Sequence, residues 1–308
     1  MKTSKLISAI TIAIAVGAMV YSGCKKDDTS VPVNTTTYDR TIQGVNEMSA
    51  ANASFADAVN IVSTASLPDL MNTEPNSITP WQSKSDCPTI AYMETTPHRA
   101  VIDFGAGCRT NDGNFRSGKI IIVWEGAYIE RGSYFVISFD KYALNHNKID
   151  GETRVMNTGI NRAGNTEFSI DANGSITVSR EPQDVNLNAA QRSNEIRMSY
   201  SFHGTKEWIS GMYTHGWNDD VYLIRGYSFG TTLSNESYKT EITTPLRNEA
   251  GYPYYTRGVL DLRIGNTLKS IDYGYVNNAQ DDLASVTSGD VVTIIHLDNN
   301  PLMVVNIH

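Results

Sequence analysis

The chain has 308 residues, with 25 Lys or Arg against 33 Asp or Glu and a formal charge of −8. That balance argues against a nucleic-acid surface and against electrostatic adhesion to anionic lipid, both of which need clustered positive charge. Forty per cent of the residues are hydrophobic, and the length is ample for a sizeable core in one large β domain or two small ones.

In chain order, Lys2 and Lys5 give a positive start and Leu6 to Val20 is an apolar run without a charge, the composition of a secretory signal. The run is shorter than the ~20 apolar residues of a comfortable spanning helix. Ser22 and Gly23 then precede Cys24. This arrangement resembles the lipobox of bacterial lipoproteins, with Tyr21 standing where Leu is usual. The resemblance implies that residues 1–23 are a signal peptide, that the Cys24 thiol is alkylated by a diacylglycerol, and that the mature chain starts there. A plain signal peptide with an incidental cysteine is the alternative. Two glycerol-linked chains and an amide-linked one, at ~0.8 kcal/mol per buried methylene, anchor stably where a single chain does not. Loss of residues 1–23 removes two lysines and moves the formal charge from −8 to −10. Lys25-Lys26-Asp27-Asp28 resembles the short Lys-then-acidic tag of surface-exposed lipoproteins of the Bacteroidota type. The expected location is the cell envelope, as an outer-membrane lipoprotein, with surface exposure left open.

Residues 24–38 read as a flexible tether, rich in Thr, Val and Pro from Thr29 to Thr37 and without periodicity. Ile42, Val45, Met48, Ala51, Phe55, Ala58, Val59 and Val62 then recur every three or four residues. That spacing predicts an amphipathic helix over 39–66, with Asp39 or Thr41 as N-cap and Leu67-Pro68 as stop. Its apolar stripe is expected to pack in the core. Pro68, Pro75 and Pro80 mark an irregular connection over 68–86.

From residue 85 to 308 the signal is β. Runs at 99–104, 120–124, 134–139, 197–202, 221–229, 238–242, 259–264, 291–297 and 303–307 are separated by turn clusters, among them Asn111-Asp112-Gly113, Asp171-Ala172-Asn173-Gly174 and Gly265-Asn266. The absence of crossover helices predicts an all-β fold, an antiparallel sandwich or meander. Ile102-Asp103-Phe104-Gly105, followed by Ser117-Gly118-Lys119-Ile120, is echoed by Ile271-Asp272-Tyr273-Gly274 and then Ser288-Gly289-Asp290-Val291. The echo predicts two related β units, roughly 85–180 and 195–308.

With Cys24 used by the anchor, Cys87 and Cys108 are the two remaining cysteines. Outside the cytoplasm such thiols normally pair, here closing a loop of 21 residues that stabilises by ~3 kcal/mol if free of strain. A metal pair or free thiols are the weaker alternatives.

Cys87-Pro88-Thr89-Ile90, Ile102 to Cys108, Asn111-Asp112-Gly113, Arg116 to Ile120 and Ser270 to Gly274 together resemble an uncharacterised group of Bacteroidota lipoproteins. The likeness covers most of 85–308 and implies an architecture but no activity. A second cysteine pair is usual in the C-terminal unit of that group. Here those places are held by other residues.

No motif points to a catalytic centre, a metal or a cofactor. His203 and His215, with Glu207, Asp219 and Asp220 nearby, lack metal-ligand spacing. Ser117 and Ser288 lack the glycine that precedes a nucleophile elbow. Asp103, Glu125, Asp140, Asp261 and Asp272 read as strand-edge pairs or turn caps, and Asp171, Asn173 and Gly174 match only the opening of a calcium loop. Aromatic residues are dense from Tyr200 to Tyr255, and Trp208, Tyr213 and Trp217 are the candidate glycan platform. The first reading is therefore a lipid-anchored, non-enzymatic interaction or structural module whose partners are the membrane, through the lipid on Cys24, and a glycan or envelope protein. A carbohydrate-binding accessory lipoprotein comes second, and an envelope hydrolase third.

Overall fold

The structure, a computed structural model, describes residues 40–64, 87–93, 95–110, 112–179, 195–214, 219–250, 252, 254–274 and 281–297. The signal peptide, Cys24, the tether, the connection over 68–86, His215, Trp217 and the strand expected at 303–307 lie outside the described residues.

Helix α1 (Arg40–Thr64) is followed by β1 (Thr89–Met93), β2 (His98–Asp103), β3 (Cys108–Arg109), β4 (Phe115–Glu125), β5 (Tyr134–Leu144), β6 (Asn147–Ile160) and β7 (Thr166–Ser179). Then come β8 (Glu195–Ser210), β9 (Val221–Thr231), β10 (Ser237–Glu249), β11 (Arg257–Ile264), β12 (Thr267–Asp272), β13 (Leu283–Ser288) and β14 (Val291–His296). All pairings are antiparallel, and the strands follow one another in chain order from β1 to β14, with only β3 off the path, beside β4. The fold is thus the expected all-β meander with one N-terminal helix, built as a single open sheet. Strands β1 to β7 and β8 to β14 are joined by the uninterrupted ladder of β7 and β8 from Thr166↔Trp208 to Ser179↔Glu195.

Strand alternation places apolar side chains on one face of the sheet, and α1 covers that face. The helix carries only three charges, Arg40, Glu47 and Asp57, and of its side chains from Ile42 to Val62 only Ala53 and Asn60 are exposed. Gly44 abuts Ile264 on β11. Asn52 Oδ1 accepts the Tyr200 hydroxyl of β8 at 2.7 Å, Glu47 accepts the Leu233 N–H between β9 and β10 at 2.9 Å, and Asp57 meets Arg116 of β4. At about 100° per residue, these positions point around more than half of the helix circumference, so the sheet is concave toward α1 and presents strands on more than one side of it. Two apolar clusters result, one around Phe55, Ala58 and Val62 with β2 to β8, the other around Val45 and Met48 with β9 to β14. Contacts divide the chain into two units, Met1–Asn34 and Thr35–His308, and the second contains every strand and both clusters.

Asp171-Ala172-Asn173-Gly174, read from sequence as a turn or the start of a metal loop, lies inside β7, paired on both sides. Its glycine serves a close approach. The Phe55 ring of α1 stacks on Tyr200 with centroids 4.8 Å apart, directly beside Gly174, where a Cβ would sit 2.7 Å from that ring. β7 otherwise alternates, with Phe168, Ile170, Ala172, Ile176 and Val178 buried, and Gly174 takes the inward place between Ala172 and Ile176.

The two sequence echoes share one turn and differ in connectivity. Asp103 accepts the Gly105 N–H at 2.8 Å and Asp272 the Gly274 N–H at 2.9 Å. In the first copy Gly118 (φ 73°) forms a bulge within β4 and its carbonyl accepts the Phe104 N–H. In the second, Tyr273 donates to Gly258 on the strand before it, and Gly289 turns the β13–β14 hairpin.

Cys87 and Cys108 are bridged, with Cα atoms 6.4 Å apart, fastening the approach to β1 onto β3. The strongest polar tie lies beneath. Arg116, fully buried, donates two hydrogen bonds to Asp57 (2.7 and 3.3 Å) and two to Asp112 (2.7 and 2.9 Å) and also contacts the Thr110 hydroxyl. Forked pairing of this kind raises the guanidinium above its usual range and holds the Asp112 carboxyl well below its own, against the burial that opposes both. Removing one member of a buried charge pair strands the other. Arg116→Met is therefore expected to cost about 3–5 kcal/mol, read as a fall in denaturation midpoint, and Arg116→Met with Asp57→Leu is expected to lose less than Arg116→Met alone.

Candidate functional site

Among the described residues, those weighed from sequence do not converge. Trp208 is wedged into the core, with ring centroids 6.2 Å from Tyr128 and 5.6 Å from Tyr222, and its Nε1 donates to Asp220 at 3.1 Å. It is half-buried, packed against both apolar clusters. Tyr213 is 92 % exposed, and Trp217 lies outside the described residues. His203 points to the convex face and bonds Asp171 at 2.8 Å, whereas Glu207 is held by Asn165 and Arg225 and Asp219 by Thr214. Among the described residues no group of three or more His, Cys, Asp or Glu side chains is arranged to hold a metal. Asp103 pairs with Lys119 at 2.9 Å, and Glu125 accepts the Tyr134 hydroxyl at 3.2 Å.

Two surfaces are better formed. On the convex side, Tyr227 and Phe229 of β9 lie side by side, 44 % and 42 % exposed, with ring centroids 6.4 Å apart and planes 19° from parallel. His203 of β8 lies beside both, 5.9 Å from Phe229 at 18° and 5.5 Å from Tyr227 at 36°. Alternation requires this: residues two apart share a face, and His203 is paired with Tyr227 across the ladder.

On the concave side, a cavity opens between α1 and β6 to β11. Its free interior is about 70 Å³, open to solvent at one side, and Phe55, Val59, Tyr200, Phe202, Ile224 and Leu260 are among its walls. Along the floor, Tyr200, Phe202, Gly204 and Lys206 are successive inward positions of β8. They span about 20 Å at ~3.4 Å per residue. Among the described residues one fully enclosed polar atom of this lining, Thr153 Oγ1, has no hydrogen-bond partner. The Lys206 residue is 4 % exposed, and none of the hydrogen bonds or ion pairs among the described residues involves its amine. Its nearest described neighbour of opposite character is the Tyr222 ring, 3.7 Å from Nζ to centroid. Asp220, which accepts the Tyr222 hydroxyl at 2.9 Å and the Trp208 indole N–H, attracts Lys206 without forming an ion pair with it.

Burial lowers the Lys206 pKa from the usual 10.5 to about 8, with the Asp220 charge opposing. Sequence reasoning passed over this residue, although a signal was present: Met198, Tyr200, Phe202, Lys206 and Trp208 share one strand phase, and a lysine in an apolar phase is anomalous.

No family model, curated protein or solved structure matches this chain.

The depressed pKa has a measurable consequence. Between pH 8 and 10.5 the unfolded chain holds the Lys206 proton more firmly than the folded one, so stability rises with pH across that window. The drop from 10.5 to about 8 corresponds to roughly 3 kcal/mol between its ends. Above pH 10 the buried tyrosines, Tyr200 and Tyr222 among them, resist ionisation and reverse the trend. Chemical denaturation from pH 7.5 to 9.5 is expected to show the rise in the native protein and a flattened profile in Lys206→Met.

Proposed function

We propose that this protein is a lipid-anchored cell-envelope module whose folded part lies outside the cytosol and acts by binding, without catalysis. The observation that carries the reading is the Cys87–Cys108 bridge. It accounts for two of three cysteines, suits an oxidising compartment, and leaves Cys24, at the end of the apolar leader, as the remaining thiol. The non-catalytic part is supported by the engagement of the acids and imidazoles weighed for chemistry: Asp103 and Asp272 close turns, and His203 and His296 bond Asp171 and Asp282. The outer membrane, with the domain facing either way, is the proposed location. Cells grown with radiolabelled palmitate are expected to label the native protein and not Cys24→Ser. Absence of label, or label that survives the exchange, would refute the anchor.

A second reading, a carbohydrate-binding accessory lipoprotein, is favoured by one observation: the exposed cluster of His203, Phe229 and Tyr227 rings on the convex face. Sugar rings stack on such surfaces through their C–H faces. The platform in this reading is that cluster, in place of the expected Trp208, Tyr213 and Trp217. Glycan-array binding by Thr35–His308 is expected to fall at least tenfold in Tyr227→Ala with Phe229→Ala and to be unchanged in Tyr213→Ala. A native protein that binds no glycan across the array removes this reading and leaves the anchor untouched.

A further inference from the structure

We propose that the cavity between α1 and the concave sheet is a binding site for a single-chain amphiphile with an anionic head, the head seated at Lys206 and the chain lying along β8 toward Tyr200. The inference stands apart from how the protein is anchored and from any glycan on its convex face.

Three features of the cavity specify the ligand. Its walls are mainly apolar: Phe55 and Val59 from the helix, Ile170, Phe202, Ile224 and Leu260 from the sheet. Apolar lining with few polar groups is the usual constitution of a small-molecule site, because burial supplies affinity and the polar groups set orientation. Its floor follows β8. Tyr200 and Lys206 lie six residues apart on one strand face, a distance of about 20 Å, with Phe202 leaning onto Gly204 between them. An extended hydrocarbon chain matches that length.

The third feature is the charge. An ammonium this buried is ordinarily paired, since an uncompensated ion in an apolar setting is costly. Lys206 has only the face of Tyr222 and the more distant charge of Asp220. Asp220 is itself bound to Trp208 and Tyr222, so it is held to the side of Lys206. A carboxylate or phosphate entering along the trough would complete the missing pair with a charge-assisted hydrogen bond. A cationic head would meet repulsion. Thr153 lies on the trough wall near Phe202 and carries no charge, which leaves Lys206 as the seat of the head.

The test uses Thr35–His308, the unit that contains the whole sheet, and titrates it calorimetrically with decanoate, decyl phosphate, decanol and decylamine below their micellar concentrations. One equivalent of an anionic ligand is expected to bind at least tenfold more tightly than decanol, and decylamine more weakly still; whichever of decanoate and decyl phosphate binds better names the head. Lys206→Met is expected to bring the anions down to the level of decanol while raising the melting temperature, because an apolar isostere relieves the unpaired charge. A purely structural lysine predicts the opposite, a lower melting temperature. Ala172→Phe, which fills the trough and keeps Lys206, is expected to abolish binding of anion and alcohol alike and covers the case in which Lys206→Met does not fold. The proposal is overturned if neither anion binds, if anions bind no better than decanol or decylamine, or if binding survives both substitutions.

Discussion

Everything in this molecule depends on how the apolar face of a fourteen-stranded sheet is kept from water. Antiparallel sheets tolerate one wet face, but the other needs a cover, and a single open sheet has no second sheet to provide it. Here the cover is one helix of 25 residues. Because it is narrow, the sheet has to come to it. The concavity, the scarcity of charge on α1, the burial of Glu47 and the partial burial of Asp57 all follow from that one requirement, since a helix approached from several sides keeps little room for a solvated face. The charges it does carry are matched individually, Asp57 by Arg116 and Glu47 by the Leu233 backbone and Gln43.

The same geometry explains which parts of the fold could be read in the sequence. The three-to-four residue period of α1 is strong because each apolar position meets the core, and strands such as β5 and β11 carry large apolar residues at alternate inward positions. β6 and β7 are harder to read, because Gly151 and Gly174 are paired at inward positions and Phe55 of the helix comes close to Gly174. A glycine demanded by packing and a glycine demanded by a turn look alike in a sequence, and the Asp-Ala-Asn-Gly run was assigned to the wrong one. The repeated Ile-Asp-aromatic-Gly motif carries a similar lesson. It encodes a strand end closed by an aspartate on the glycine N–H, and a requirement that local recurs without fixing which neighbouring strand it pairs with.

For the candidate sites the legibility is reversed. Aromatic density from Tyr200 onward was visible, but a list of rings does not say which strand phase is outward. Trp208 falls on the inner phase of β8, while Tyr227 and Phe229 fall on the outer phase of β9, and the ladder that aligns His203 with Tyr227 is a long-range pairing with no local signature. Arg116 and Lys206 could have been found, since each stands among residues of inward phase. What the sequence could not supply is the difference between them. Arg116 meets two carboxylates, one from a helix 59 residues earlier, whereas Lys206 meets an aromatic face.

That difference bears on why the second charge is there at all. A folded domain is stable by only about 5–15 kcal/mol, and an ammonium held in an apolar trough, below its normal affinity for a proton, draws on that margin for as long as the site is empty. Substitutions that relieve such a cost are easy to reach, Met being close to Lys in length, and they need no compensating change elsewhere. Arg116 resists the same reasoning, because its replacement would strand two acids. A position that is simple to improve and yet holds the unfavourable residue is more economically explained by something the residue meets in use than by the fold. The position of Lys206, at one end of a groove lined by hydrocarbon, indicates the shape of what it meets.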